Sequence, residues 1–419
     1  MLEVRAFRGL RYNKEKTGSL DGIITPPYDV ISPEERATLG ARSPFNHVHL
    51  ILPEDAEIQT RYEVAAQRLS EWRGQDVLRQ DEAPSYYLLK QDFTDLDGRP
   101  QTRKAFFGVV RIPEEGENTI LGHERTFDKP VADRLALTAA AKANLGAVFG
   151  LYGDAEGQLQ GFLNQMESRP PDGVAHTIDG VQQSYWRVAD APEVGRFLKD
   201  KTIYIADGHH RFLTAKTYRD EQRAQLGNRM PETMNYVLMG FVAFEDAGLK
   251  IYPPHRLVKA PDAFDGAAFL KDLEKWFRVE PVQTDLAGAV EKAPGECVIG
   301  LAMHGHGEFL LTLGGFDRTL LLGSDRGPSW RDLDVAVLHR GILERILALP
   351  EAAQHAYEKN VAHAIEAAHR GQPELAFILR ATKTGQIRAC AEAREPMPQK
   401  STYFFPKLPS GVVIYALEG

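Results

Sequence analysis

The sequence is short of several things, and each shortage excludes a class of protein. Among 419 residues there are two cysteines, Cys297 and Cys390, and neither sits in a Cys-x-x-Cys pair. A disulfide framework or structural zinc is therefore not expected, and two buried thiols in a reducing cytosol is the plain reading. No run approaches the ~20 consecutive apolar residues that a membrane-spanning helix needs. The opening MLEVRAFRGLRYNKEK has no apolar signal-peptide core. Basic residues are in the minority, 50 Lys and Arg against 58 Asp and Glu, for a net charge of −8. Sequence-independent DNA binding needs clustered Lys and Arg, so a nucleic-acid partner is not expected. A local basic pocket for a small phosphorylated ligand is compatible with that charge. No internal repeat shows. What remains is a cytoplasmic globular protein, long enough for two domains.

Early in the chain GIITPPYDVIS, Gly22 to Ser32, reads as a proline-rich turn leading into a short extended piece. NHVHLIL, Asn46 to Leu52, alternates like a strand. Residues 58–73 carry Tyr62, Ala65, Ala66, Leu69 and Trp72 on one helical stripe. Tyr86–Lys90 and Ala105–Ile112 read as strands, with an Asp97-Gly98 hairpin turn between them. A helix is predicted over about 131–144, a buried strand over AVFGLY, a short helix near 192–199 and a long central strand within Met234–Glu245. Helices near 263–277, 334–347 and 360–370 then mix with strands near 296–303, 307–313, 374–380 and 411–417. The order is not the regular alternation of a doubly wound sheet. It predicts an α+β protein with mixed strands. The aromatic pairs Tyr86-Tyr87, Phe106-Phe107 and Phe404-Phe405 read as core. His47-Val48-His49 and His304-Gly305-His306 could begin a metal site but not complete one, so no metal-ligand set is predicted.

One stretch concentrates chemistry. TIYIADGHHRFLTAKTYRD, Thr202 to Asp220, delivers an apolar strand into Asp207-Gly208-His209-His210-Arg211 and then a helix. Gly208 lets a ligand approach the backbone closely. A helix start near His210 supplies N–H groups and partial positive charge, which suit anions. His209, His210 and Arg211 add donors, and an arginine can grip a phosphate with two parallel bonds. Asp207 would repel an anion unless it orients a histidine, holds a metal or takes a proton from an attacking hydroxyl. The plain alternative is an N-cap aspartate beside ordinary polar residues.

The Asp207–Ala215 motif resembles that of the ParB/sulfiredoxin-like superfamily. PPYDVIS, HERTF (from His123), DRLALTAAAKAN (from Asp133), IADGHHR, DAGLKIYPPHRLV (from Asp246), LDVAVLH (from Leu333) and MPQKSTYFFPKLPSG (from Met397) together resemble the DUF1015 proteins along nearly the whole chain. The superfamily resemblance implies phosphate handling at the 207–211 turn, in partition proteins that use CTP, in sulfiredoxin, and in a kinase of free serine. No cysteine neighbours the motif and no basic helix pair reads DNA. The expectation is therefore a nucleotide-dependent phosphotransferase acting on a small hydroxyl metabolite, with L-serine as the family-level acceptor. A non-catalytic nucleotide- or phosphometabolite-binding regulator is the alternative from another class.

Such a kinase needs a phosphate cradle, a metal and a base. Gly208, His209, His210 and Arg211 form the expected cradle, with Arg134, Lys400 and Ser401 as further phosphate contacts. Asp207, Asp29 and Glu124 are the candidate catalytic acids, and His123 and Arg125 the candidate substrate contacts. The expected cofactors are ATP or ADP with magnesium. The partners are that nucleotide and a small-molecule substrate, with a homo-oligomer left open. The resemblance implies a ParB/sulfiredoxin-like domain over 1–230, interrupted by an insertion at about 80–190, and a second mixed α/β domain over 231–419.

Overall fold

The computed structural model describes residues 1–56, 59–189, 191–350, 356–371 and 374–418. They form a mixed α and β protein divided into two compact units. The first comprises Met1–Gly122, Thr126–Lys250 and Pro406–Gly419; the second comprises His123–Arg125 and Ile251–Phe405. A division at 230/231 cannot hold, because Tyr236–Ala243 pairs in the middle of the first unit's sheet. The C-terminal stretch also returns to that unit.

The first unit is built on a nine-stranded mixed sheet. Its main path runs Ile120–Leu121, Ile203–Asp207, Val148–Tyr152, Tyr236–Ala243, Pro100–Arg111, Ser85–Thr94, Gln182–Ala189, Gly173–His176. The predicted hairpin is present: Tyr87 to Thr94 lie antiparallel to Phe107 to Pro100. Alternation along the strands divides the side chains between two faces. Phe106, Phe241, Tyr152, Val110 and Trp186 join one apolar cluster with Ala215, and Phe212 packs against it. Those last two belong to the helix His209–Leu226, so this cluster ties the helix to the sheet. The neighbouring Phe107 meets the C-terminal stretch instead: a Cβ on Gly240 would collide with Leu408 and crowd Phe107. Glycine at 240 is thus what lets Leu408 lie down on the strand.

The second unit has an antiparallel six-stranded sheet in the order Phe277–Val282, Gly307–Leu313, Val298–Met303, Leu375–Ile378, His255–Val258, Ala356–Glu358. Leu286, Val290, Ala364 and Ala368 from two helices pack on it. Asp334–Ala336 runs on into a wider π-helical segment, Val337–Ile346.

Two local readings need correction. Asn46–Leu52 is not a strand; Val48–Ile51 is a short helix. The Asn46 side chain accepts from the Val48 N–H at 2.9 Å and turns the chain there, a capping effect that apolar alternation does not reveal. His47 and His49 consequently do not share a strand face. His47 bonds to the Leu145 carbonyl at 2.7 Å, and His49 to the carbonyls of Gly40 and Ser43. The expected helix from 58 runs over Arg61–Gly74, while residue 58 itself lies outside the described residues. The aromatic pairs are core: Tyr86, Tyr87, Phe106, Phe107 and Phe404 are buried, with Phe405 partly so. Both cysteines are free and buried.

Candidate functional site

The strand Ile203–Asp207 ends where Gly208 takes a left-handed conformation, φ +87°, and the helix starts at His209. A side chain at 208 would be strained there, and its Cβ would stand 3.0 Å from the Arg211 guanidinium. The glycine therefore serves two ends: it turns the chain, and it leaves room for Arg211 to fold back over the corner.

Arg211 is held on several sides. Its Nη2 donates to Asp207 Oδ2 at 2.5 Å and lies 3.9 Å from Asp29 Oδ1; its Nη1 donates to the Ala147 carbonyl. The other oxygen of Asp207 accepts from Lys407 Nζ at 2.5 Å. These three side chains are only 10–13% exposed. Burial alone would raise the Asp207 pKa, but Lys407 and then Arg211 outweigh it and hold the carboxyl well below the usual range. A carboxylate with both oxygens on cations and so little proton affinity is a poor general base. The arrangement suits Asp207 to pairing charge with Arg211 and Lys407.

Beside the corner lies a cavity of about 50 Å³. That is several times the ~10–15 Å³ one water requires, and suits a few waters or one small anionic group. Tyr28, Arg134, Arg211, Thr214, Asn144 and Ser410 contribute its polar lining. Arg134 is buried on the helix Asp128–Ala141, pinned by Asp133, by the Ile51 carbonyl at 2.6 Å, and by the Tyr28 ring 4.3 Å below its guanidinium. The Tyr28 hydroxyl is raised in pKa by burial and by Asp29, with Arg211 and Arg134 opposing. Two of the lining residues each keep a buried polar atom without a hydrogen-bond partner, Arg211 Nε and Thr214 Oγ1. Buried donors left in this state are costly and are commonly completed by a water or a ligand.

A family described as "Protein of unknown function (DUF1015)" matches residues 4–336. The chain belongs to this family. No curated protein matches. Among solved structures, a free serine kinase variant in complex with AMP aligns at 13% identity, over 71% of this chain and 87% of that one, with a TM-score of 0.38. A conserved hypothetical protein from Pyrococcus furiosus aligns at 14% identity over 73% and 93%, with a TM-score of 0.35. SbnI with C-terminal truncation from Staphylococcus aureus aligns at 12% identity over 73% and 86%, with a TM-score of 0.37.

Within this DUF1015 chain the expected site residues separate into two groups. Asp207, Gly208, Arg211, Asp29 and Arg134 gather at the first-unit corner. His209 is buried, close against Gly122. His210 accepts the Phe127 N–H at Nε2, 3.1 Å, and stacks on that ring, so this nitrogen is not a phosphate donor here. His123, Glu124, Arg125, Lys400 and Ser401 fall in the second unit. There the Met397 N–H donates to the His123 carbonyl at 2.8 Å, and Thr402 Oγ1 lies 3.5 Å from His123 Nε2. The Ser401 hydroxyl donates to the Pro398 carbonyl at 2.5 Å and Lys400 has a left-handed φ of +52°, the arrangement of a structural turn. Sequence reasoning missed Lys407, Thr214 and Tyr28. Tyr28 adjoins a named residue, and Thr214 follows Arg211 by nearly one helical turn, which places both on one face. Lys407 sits in FPKLPSG with no local sign of its partner. Among the described residues no helix is long and apolar enough to cross a membrane.

Proposed function

We propose that the corner at Gly208 binds a phosphate group of a nucleotide, ATP or ADP, and that the protein transfers phosphate to a small hydroxyl metabolite, free L-serine being the first acceptor to test. The observation that carries this reading is the cavity lined by Arg134, Arg211 and Thr214, of which Arg211 and Thr214 each keep a buried polar atom without a partner. The Arg211 guanidinium and the Thr214 hydroxyl are donors suited to phosphate oxygens, and Arg134, whose nitrogens are held by Asp133 and the Ile51 carbonyl, adds positive charge to the wall. The cavity has the size of one such group, which leaves a nucleoside in the open. The resemblance of the Asp207–Ala215 motif to the ParB/sulfiredoxin-like superfamily supports the same reading, and with it the assignment of the first unit to that superfamily and of about 80–190 to an insertion.

Asp29 is the acid suited to the chemical step. It is 35% exposed, it stands 3.9 Å from Arg211, and it is set in a turn after Pro26 and Pro27. It would accept the acceptor hydroxyl's proton as that oxygen bonds to phosphorus and the nucleotide leaves with the former bridging oxygen. Among the described residues no group of three or more His, Cys, Asp or Glu could hold a metal ion. Magnesium would come with the nucleotide rather than from a cage of protein ligands, and would neutralise phosphate charge there. Calorimetry with ATP and ADP, followed by 31P NMR with serine, tests the proposal. Phosphoserine formation supports it. Tight nucleotide binding with no transfer to serine or other hydroxyl metabolites favours the regulatory alternative, for which the cation-locked state of Asp207 is the supporting observation.

A further inference from the structure

We propose that Lys407, on the C-terminal stretch that returns to the first unit, is a positioning residue of this site: by engaging Asp207 it leaves the positive charge of Arg211 for an anionic group in the cavity. This rests on the phosphate reading above and adds the residue that sets the charge of the corner. Asp207 carries −1, and the two cations bonded to it, Lys407 and Arg211, carry +1 each, so this trio sums to +1, with Asp29 a further acid 3.9 Å from Arg211. Without Lys407 the trio sums to zero, and the charge of Arg211 is matched by Asp207 alone instead of being shared with a second cation.

Lys407 is built into place. Gln91 donates to its carbonyl at 3.0 Å, and Gln91 Oε1 in turn accepts from Arg103 Nε at 2.9 Å. Arg103 is wholly buried, with its guanidinium 4.9 Å from the Phe149 ring. Phe149 is the strand partner of Asp207. One residue on, Leu408 lies on Gly240. Ser410 exchanges backbone hydrogen bonds with Thr25, at 3.1 and 2.8 Å, and itself lines the cavity. The stretch therefore brings a cation on one side of Asp207 and a wall of the cavity within a few residues. A lysine held at both its backbone and its ammonium, and 10% exposed, differs from a mobile surface pair.

The test is ADP binding by calorimetry on the full chain, with melting curves to confirm folding. Lys407→Met should weaken ADP by about tenfold or more, since one charge near the phosphate is lost in a poorly screened setting. Lys407→Arg should keep most of the affinity. The double variant Asp207→Asn/Lys407→Met restores the sum of +1 and should regain most of what the single variant loses, which a purely structural lysine would not produce. The inference is overturned if Lys407→Met binds as wild type does, or if the double variant binds no better than the single one. Should Lys407→Met fail to fold, the double variant, which buries neither charge, decides alone: retained ADP binding supports the inference and lost binding overturns it. Wild-type protein that binds neither ADP nor inorganic phosphate would remove the phosphate reading itself, a different failure from either of these.

Discussion

Each unit contains a cavity with an arginine in its lining and an aspartate at hand, and the two are put to different uses. In the first unit Arg211 shares Asp207 with Lys407 and keeps a buried Nε without a partner. In the second, Arg380 gives Nε to the Val290 carbonyl, Nη1 to that of Gly295 and Nη2 to that of Ala293. It closes the end of the helix Leu286–Lys292, whose last carbonyls need donors. The acids differ in the same sense. Asp207 is held ionised by two cations, whereas burial pushes the half-buried Asp334 up to about 6, against the opposing hydrogen bond with Cys297 and the charge of Arg380. The second cavity is about 20 Å³, room for a water or two. The lesson is that a buried arginine in a cavity wall points to a ligand only when its donors are not already committed to the protein.

Four experiments can break or sharpen this contrast. The largest expected effect is on chemistry: Asp29→Asn should cut phosphoryl transfer by about a thousandfold, within the range for loss of a general base, with ADP affinity retained in calorimetry. Arg211→Ala should weaken ADP by about a hundredfold, the loss of two charge-assisted hydrogen bonds; unchanged affinity would place Arg211 with Arg380 as architecture. Asp334→Asn bears on pH. The folded pKa of Asp334 is raised, so the native state binds more protons than the unfolded chain between an unfolded value of about 4 and the folded 6, and stability falls as pH rises through that window. The asparagine variant should lose that fall, about 2 kcal/mol across the window, read from urea unfolding at pH 4 and pH 7. The smallest effect is for Arg380→Met, which should cost about 1 kcal/mol of stability through the exposed helix end and leave ADP binding in place. If it instead abolished binding, the distinction between the two arginines would be gone.

Local pattern made much of this legible. The hairpin at Asp97-Gly98, the strand Tyr236–Ala243 and the strand–glycine–helix corner at 207–211 all follow from apolar periodicity and turn chemistry acting over a few residues. The same reasoning failed at Asn46–Leu52, where a side-chain cap outweighed alternation. Nor does periodicity show that His210 Nε2 takes the Phe127 N–H or that the Ser401 hydroxyl donates to the Pro398 carbonyl. In each case a polar side chain chose an acceptor or donor that no periodicity names.

The sequence by itself determined that Gly208 turns a buried strand into a helix and that Arg211 follows within reach, because both depend on backbone geometry across a few adjacent residues. Tertiary structure alone decided what those residues face. Asp207 and Lys407 are 200 residues apart, and Gln91 and Lys407 are 316 apart. Buried charge must find its counter-charge wherever the chain happens to pass, so the lysine that pairs with Asp207 is in place only when the C-terminal stretch lies down on the first sheet.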